Sequence, residues 1–531
     1  MAVSDRSIVL TGFMGTGKTA VGRALAEALG RPFVDMDALL EQRLGMTISA
    51  YFASAGEDAF RQAEAALARE LAPQRGLVIA TGGGALVAEA NRGAFLEQAT
   101  VILLECAPEA ILRRLEGTSD RPLLAGPDPQ AAVARLLASR REAYEAIPLR
   151  LDTTHLTVAE AAERVRRLAS LEAAAPLRIL PLPAAAGGYD VALGEGLLER
   201  CGPLLRALAA GERAVVITEP RVRRLHGAAL ERALSAGGIR AGWLEVPSGE
   251  AAKTYAALQA LYDGLLRLEA ERGTPVIAFG GGALSDVAGL AAATWLRGLP
   301  WVVIPTTLLA QVDAGIGGKV AIDHPGGKNL IGAFYPPRLV VVDPELLRTL
   351  PPEELRAGLA EVVKHGIIGA PDLFAHLEAH GPEPLGRTVP EAVRVKVDVV
   401  AADPLEQGRR AVLNLGHTTG HALERLSGFS LRHGEAVSIG MVTAARLAVR
   451  LGLCEAGLEA RLTALLERLG LPARGPRIEA DRLWAAMASD KKRHHGAVRF
   501  VLPVRLGEVI LWDKVSSDDF AAAWREVMAD G

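Results

Sequence analysis

Residues Gly12 to Thr19 read GFMGTGKT, which fits G-x4-G-K-[ST], with the apolar run Ile8–Leu10 before it and the helical pattern Ala20–Leu29 after it. Glycines let successive backbone N–H groups close around phosphate oxygens, and the helix N-terminus adds favourable partial charge. In that frame Gly12, Gly15, Thr16 and Gly17 shape a nucleotide loop. Lys18 reaches the β/γ-phosphates of ATP, and the Thr19 hydroxyl binds Mg2+. The loop does not define the acceptor. Asp35-Met-Asp37 follows the next strand, and its alternating carboxylates can serve different partners. Phe60-Arg61-x-x-Glu64 comes next, then Thr81-Gly82-Gly83-Gly84 at a strand end that lacks the usual acidic residue. Arg121-Pro-Leu-Leu lies in a stretch suited to a lid, and Arg140 lies on the helix after it. A single arginine is ordinarily a solvated charge; an ordered set of this kind is harder to dismiss.

A second constellation lies far downstream. Gly416-His417-Thr-Thr-Gly-His421 puts two imidazoles four residues apart on one helical face, followed by His433-Gly-Glu. Two histidines and a carboxylate with an open position suit a catalytic zinc. Spacing alone does not choose the set, because Glu361 and His365 share a helix face and His494-His495 offers another option. Before this cluster, Phe279-Gly280-Gly281-Gly282-Ala-Leu-Ser285-Asp286 follows a strand and precedes a helix. That is an incomplete dinucleotide fingerprint, since Ser285 holds the third glycine position. Ser248-Gly249-Glu250-Ala-Ala-Lys253 and Pro305-Thr306-Thr307 support it. The polar run Gln311-Val-Asp313, Gly317-Gly-Lys319 and Gly327-Lys328-Asn329 suits an anionic, hydroxylated ligand.

The elements that must position these groups fall into blocks. Strand-like runs at Ile8–Leu10, Phe33–Val34, Val78–Ala80 and Val101–Leu104 alternate with helical patterns such as Ala63–Leu71, which predicts a parallel sheet with helices on both faces. Ala/Pro/Gly-rich sequence between 173 and 188 reads as a linker. Runs at Ala214–Thr218, Val276–Phe279, Trp301–Ile304 and Leu339–Val342 predict a Rossmann-like α/β domain over 189–345. Helical periodicity (Glu353–Ile368, Pro390–Ala401, Leu458–Leu469) predicts a mainly helical metal-binding domain over 346–531.

A chain of 531 residues exceeds one ordinary core. Its net charge of −3 gives no electrostatic reason to expect nucleic acid or an anionic membrane as partner. Cys106, Cys201 and Cys454 are far apart, without metal spacing, as in a reducing compartment. The apolar start Ser7–Leu10 runs into the glycine loop, so it reads as a buried strand and not a signal peptide. The expectation is a cytoplasmic protein.

With these motifs in place, the first 170 or so residues resemble shikimate kinase over that family's full length. The marks are the P-loop, the Asp-x-Asp pair, Phe-Arg-x-x-Glu, the triple glycine and Arg-Pro-Leu-Leu. The resemblance implies that Asp35 holds Mg2+ through water and Asp37 takes a proton from, or orients, the attacking shikimate hydroxyl. It implies that Arg61 and Arg140 clamp the shikimate carboxylate, Gly83 donates its N–H, Arg121 neutralises the transferred phosphoryl group and Arg114 stacks on adenine. From about residue 188 the chain resembles 3-dehydroquinate synthase. The shared segments, in order, are Gly-Glu-x-x-Lys, the triple glycine with Asp, Pro-Thr-Thr-Leu-Leu-Ala-Gln-Val-Asp, Gly-Lys-Asn-Leu-Ile-Gly, Ala-Glu-Val-Val-Lys-His-Gly and Asn-Leu-Gly-His-Thr-x-Gly-His.

This second resemblance implies Glu361, His417 and His433 as ligands of Zn2+ or Co2+, with His365 outside the set. It implies His421 as a proton-transfer residue and, with Lys319 and Lys364, part of the catalytic group. Arg297, Asp313, Lys319, Asn329, Lys364, Lys396, Arg410, Asn414 and Lys491 would bind a heptulosonate phosphate. Arg297 would reach across a homodimer interface. Glu250, Lys253, Gly281, Gly282, Asp286, Thr306, Thr307, Asp313, Lys319 and Lys328 would contact NAD. Glu219 departs from the family, which more often has Asn or Asp near the adenosine. The rivals are another P-loop metabolite kinase, a polyol dehydrogenase, another sugar-phosphate cyclase or a degenerate scaffold. The first two do not need the carboxylate- and phosphate-binding sets, and a scaffold would show gaps at catalytic positions.

Overall fold

The computed structural model describes residues 5–115, 129–174, 178–182, 188–207, 211–428, 430–491 and 498–529. The chain divides into two compact units, Met1–Pro181 with Pro203–Ala209, and Leu182–Gly202 with Ala210–Gly531.

In the first unit, strands β1 (Ile8–Gly12), β2 (Phe33–Asp35), β3 (Val78–Ala80), β4 (Thr100–Glu105) and β5 (Leu149–Asp152) pair in parallel in the order β2-β3-β1-β4-β5. Every residue of β1 and β3 is buried, as expected of strands covered on both faces, which explains their unbroken apolar sequence. Helix α1 (Lys18–Leu29) starts at Gly17 and ends at Gly30, both left-handed (φ 96° and 62°), a conformation glycine adopts without strain. Helix α2 is Met36–Leu44. The helical pattern at Ala63–Leu71 proves to be the end of α3 (Ile48–Leu71), which is broken at Gly56 (φ 83°).

One element departs from the sequence reading. Inside the stretch expected to be linker, Arg178–Leu182 forms a strand that pairs with β5 at Leu149↔Ile179. Ile179, Leu180 and Leu182 are buried. Flanking alanines and prolines hid this short apolar run, because proline cannot donate to a ladder and argues against a strand.

The second unit contains a parallel sheet in the order Tyr189–Leu193, Leu339–Val342, Trp301–Pro305, Val276–Gly280, Arg213–Thr218, Arg240–Glu245. The order in which successive strands join the sheet reverses between Arg213–Thr218 and Val276–Gly280, and ligands of such sheets bind outside the strand ends at that point. The triple glycine lies there. Of the polar run, Gln311 and Asp313 lie in the helical turn Ala310–Ala314, while Lys319–His324 and Gly327–Phe334 form a hairpin. Helices Pro352–Gly369, Leu385–Ala402, His417–Leu426 and His433–Arg450 follow. The helical half also holds an antiparallel hairpin, Phe500–Arg505 with Glu508–Trp512, which the sequence reading lacked. Among the described residues no helix is long and apolar enough to cross a membrane.

Candidate active sites

In the first unit the nucleotide loop is closed on itself. Lys18 Nζ donates to the carbonyls of Gly12 (3.0 Å) and Phe13 (2.9 Å), and the buried Thr16 hydroxyl donates to Phe13 O (2.8 Å). Thr19 Oγ1 donates to Asp35 Oδ2 at 2.8 Å, while Asp35 Oδ1 caps α2 by accepting from the amides of Asp37 and Ala38. A hydroxyl and a carboxylate thus meet at the loop mouth, oxygen donors of the kind a hydrated Mg2+ takes.

The triple glycine makes room for the acceptor groups. A Cβ on Gly82 would lie 2.5 Å from Asp37 Oδ1, and one on Gly84 would lie 3.1 Å from an Arg61 nitrogen. Arg61 pairs with Glu64 (2.8 Å) and Glu57 (3.1 Å). Burial raises the Glu64 carboxyl above its ordinary value, against the pull of Arg61. Arg140 donates to Gly83 O at 2.7 Å and lies over the Phe13 ring. Tyr144, one turn on, donates to the same carbonyl at 3.1 Å. Two donors therefore orient the peptide of Gly83. Tyr144 was not singled out in the sequence, although its spacing from Arg140 put it on the same side. Arg114 spends its N–H groups on Thr153 O (2.6 Å) and Gly15 O (3.3 Å), tying the nucleotide loop to the chain after β5. Arg121 lies outside the described residues.

In the second unit, glycines bring three helices together at backbone distance. A Cβ on Gly440 would lie 1.9 Å from Gly416 O, and one on Gly434 would lie 1.9 Å from Ala357 O. These approaches set the helix of His433 against those of His417 and Glu361. Ligand atoms of Glu361, His417 and His433 consequently lie within 4.8 Å of one another. The Nε2 atoms of His417 and His433 are 3.6 and 3.5 Å from Glu361 Oε1. Two imidazoles and one carboxylate are the donor set of a catalytic zinc; Glu361 Oε1 faces both imidazoles, while Oε2 lies against Lys364. Burial holds His417 well below the usual histidine range; His433, against burial, is raised to about 10 by Glu361 and Glu424.

Charges alternate behind this group. Lys364 sits against Glu361 and 3.9 Å from Asp313, and Lys396 pairs with Asp313. Burial opposes ionisation of Asp313, but Lys364 and Lys396 hold it well below the usual carboxylate range. His365 is also grouped with Asp313 and Glu361. Burial, with Lys364, lowers His365 to about 3, and His421, Glu424 and His433 form a third group whose ligand atoms also lie within 4.8 Å of one another.

The remaining expected residues divide. Lys319 pairs with Glu406, and buried Arg410 donates to Pro404 O (2.8 Å) and Gly317 O (3.2 Å). Asn414 closes the turn Arg409–Asn414 before His417. The His421 ring lies 5.3 Å from that of His417. Arg297 sits in a left-handed turn (Leu296 φ 49°, Arg297 φ 67°) with no hydrogen bond or ion pair to the other expected substrate residues among those described. Lys491 ends the helix Ala480–Lys491, its side chain outside the described residues, as are His494 and His495.

At the sheet end, Lys253 Nζ donates to Asp286 Oδ2 (2.7 Å) and to Asn329, and Lys328 lies 3.4 Å from Glu250. Gly281 precedes the helix Gly282–Thr294, and a Cβ on it would lie 3.3 Å from the Thr307 methyl. Thr306 is buried beside it. Burial raises the Asp286 carboxyl from 3.8 to about 6, against Lys253. Between those values the folded protein holds a proton that the unfolded chain has lost, so this group makes stability fall as pH rises. Asp286→Asn should therefore gain stability relative to the parent as pH rises from 4 to 6. Melting temperatures of both proteins across that range check this.

The geometry is that of a nucleotide-loop kinase unit and of an α/β unit that pairs a dinucleotide-type sheet with a buried metal group. Residues 14–169 match the family model of shikimate kinase, and residues 243–357 and 358–493 match those of the N-terminal and C-terminal parts of 3-dehydroquinate synthase. The 3-dehydroquinate synthase of Symbiobacterium thermophilum is 47% identical over 340 residues, 62% of this chain and 95% of that protein. Among solved structures, the 2-epi-5-epi-valiolone synthase of Streptomyces hygroscopicus, with NAD+ and Zn2+ bound, covers 64% of this chain and 96% of its own (31% identity, TM-score 0.60). A 2-deoxy-scyllo-inosose synthase complexed with carbaglucose-6-phosphate, NAD+ and Co2+ covers 66% of this chain and 100% of its own (26% identity, TM-score 0.59). The chain belongs to the 3-dehydroquinate synthase family and carries a shikimate kinase domain before that part, which makes it a fused enzyme of the shikimate pathway.

Proposed function

We propose that the first unit phosphorylates shikimate from ATP with Mg2+, and that the second converts 3-deoxy-D-arabino-heptulosonate 7-phosphate to 3-dehydroquinate and phosphate, with NAD+ and Zn2+ or Co2+. The observation that carries the reading is the convergence of Glu361, His417 and His433 beside the Lys364–Asp313–Lys396 array.

In the kinase, Lys18 exchanges the carbonyls of Gly12 and Phe13 for the β/γ-phosphates, and Thr19 and Asp35 face the hydrated Mg2+. Arg61 and Arg140 hold the shikimate carboxylate, Gly83 donates its N–H and Asp37 orients the attacking hydroxyl. Arg121 neutralises charge on the transferred group. In the synthase, residues 189–345 bind the dinucleotide through Glu250, Lys253, Gly281, Gly282, Asp286, Thr306, Thr307 and Lys328. Residues 346–531 supply the metal ligands. A metal held by Glu361, His417 and His433 would supply Lewis-acid polarisation of a substrate hydroxyl, and a bound dinucleotide would supply reversible hydride acceptance. Lys319, Asn329, Lys364, Lys396, Arg410, Asn414 and Lys491 hold the substrate phosphate and carboxylate. Asp313, kept ionised by its two lysines, lies between substrate and dinucleotide, and His421 moves the proton. The synthase half pairs as a homodimer, with Arg297 contacting phosphate across the interface. The enzyme works on small molecules in the cytoplasm, with no nucleic-acid or membrane partner.

Assays of the purified protein test both halves: phosphate release from the heptulosonate with NAD+ and metal, and ADP release with shikimate. Turnover in both is expected. Net NADH formation from a polyol, or phosphorylation of gluconate in place of shikimate, would replace this reading with its rivals.

A further inference from the structure

One buried carboxylate beside the metal group has no part in the roles above. Glu424 lies on the helix His417–Leu426, seven residues after His417 and three after His421, so the three side chains share a face. Its Oε2 is 3.5 Å from Nδ1 of His433, whose Nε2 is 3.5 Å from Glu361 Oε1. His417 is arranged in the same way: its Nε2 faces Glu361, and its Nδ1 lies 3.2 Å from the carbonyl of Leu415. Each imidazole thus turns one nitrogen to the shared carboxylate and the other to an outer acceptor. A neutral imidazole has one N–H and one lone pair, and the acceptor at one nitrogen decides which nitrogen is left to coordinate.

We propose that Glu424 is a positioning residue for the metal: it accepts the Nδ1–H of His433 and so fixes Nε2 as the donor atom. The inference rests on the reading of Glu361, His417 and His433 as ligands. Of His417 and His433, Glu424 pairs with His433 alone, whereas Glu361 faces both; Glu424 also groups with His421 and His433, so the test has to tell an outer acceptor from a ligand.

The test is Zn2+ affinity, measured by chelator competition on the full chain, for Glu424→Ala, Glu424→Gln and His433→Ala. Glu424→Ala should weaken Zn2+ binding by about 10–100-fold. Glu424→Gln should recover much of this, because its amide oxygen can still accept the Nδ1–H. It should also keep the visible absorption of the Co2+-loaded parent, since coordination is unchanged. Parent affinity in Glu424→Ala would overturn the inference. So would a Gln variant as weak as His433→Ala with an altered Co2+ spectrum, which would make Glu424 a ligand. If His433→Ala itself binds Zn2+ as the parent does, the ligand reading falls first and the inference with it. Circular dichroism of the metal-free variants identifies loss of fold, and the isosteric Gln variant keeps the test valid if the Ala variant does not fold.

Discussion

Lys18→Met is expected to remove shikimate phosphorylation, with a loss of at least about 10²–10³-fold, because its ammonium is the charge that the nucleotide loop brings to the β/γ-phosphates. In the structure that ammonium rests on two carbonyls of the nucleotide loop, Gly12 O and Phe13 O. Methionine keeps the length and apolar stem of lysine, so the loop should retain its shape. Dehydroquinate formation should stay within about twofold, as expected for a site that shares no partners with the mutated one. Both assays on one preparation read the result. Equal loss of the two activities in a folded variant would contradict independent sites.

Glu361→Gln should have two large effects at once. The first is on the metal: removing the anionic member of a three-ligand set should lower Zn2+ affinity and cyclase activity together. The second is on stability. Glu361 and Lys364 are fully buried against each other on one helix. Breaking such a pair from one side leaves a buried charge uncompensated, at a cost of about 3–5 kcal/mol. Asp313, 3.9 Å from Lys364, offsets part of it. Adding Lys364→Met to Glu361→Gln should therefore restore much of the denaturation midpoint of the metal-free protein without restoring metal. Urea titrations of the parent, the single and the double variant, each with a metal analysis, separate the two effects. A double variant no more stable than Glu361→Gln would show that the uncompensated Lys364 charge is not the source of the loss.

The parts most legible in the sequence were those whose chemistry is local. The nucleotide loop needs consecutive glycines, a lysine and a threonine, so Gly12–Thr19 could be read as it stands. The strands Val78–Ala80 and Leu339–Val342 matched their apolar runs residue for residue, because fully buried parallel strands leave no polar interruption. The metal group was harder. Glu361 and His365 occupy the same face one turn apart, and which imidazoles come near Glu361 depends on the packing of three helices, through the contacts at Gly416, Gly434 and Gly440. Family resemblance chose Glu361; the residues alone did not. Glu424 and Tyr144 were missed because each acts on another functional group, His433 and Gly83, and such a partnership is set by tertiary placement. A spacing of 4 and then 3 from His417 through His421 to Glu424 was the available signal.

The strand at Arg178–Leu182 changes what it means to cut this polypeptide in two. A break at residue 172, where composition turns toward alanine and proline, would remove the strand beside β5 on the side away from β4 and leave that edge of β5 open to other chains. Open edges of that kind recruit foreign strands and drive aggregation. The first compact unit runs through Pro181, so an excised kinase should be more soluble with the strand residues Arg178–Pro181 than when cut at 172.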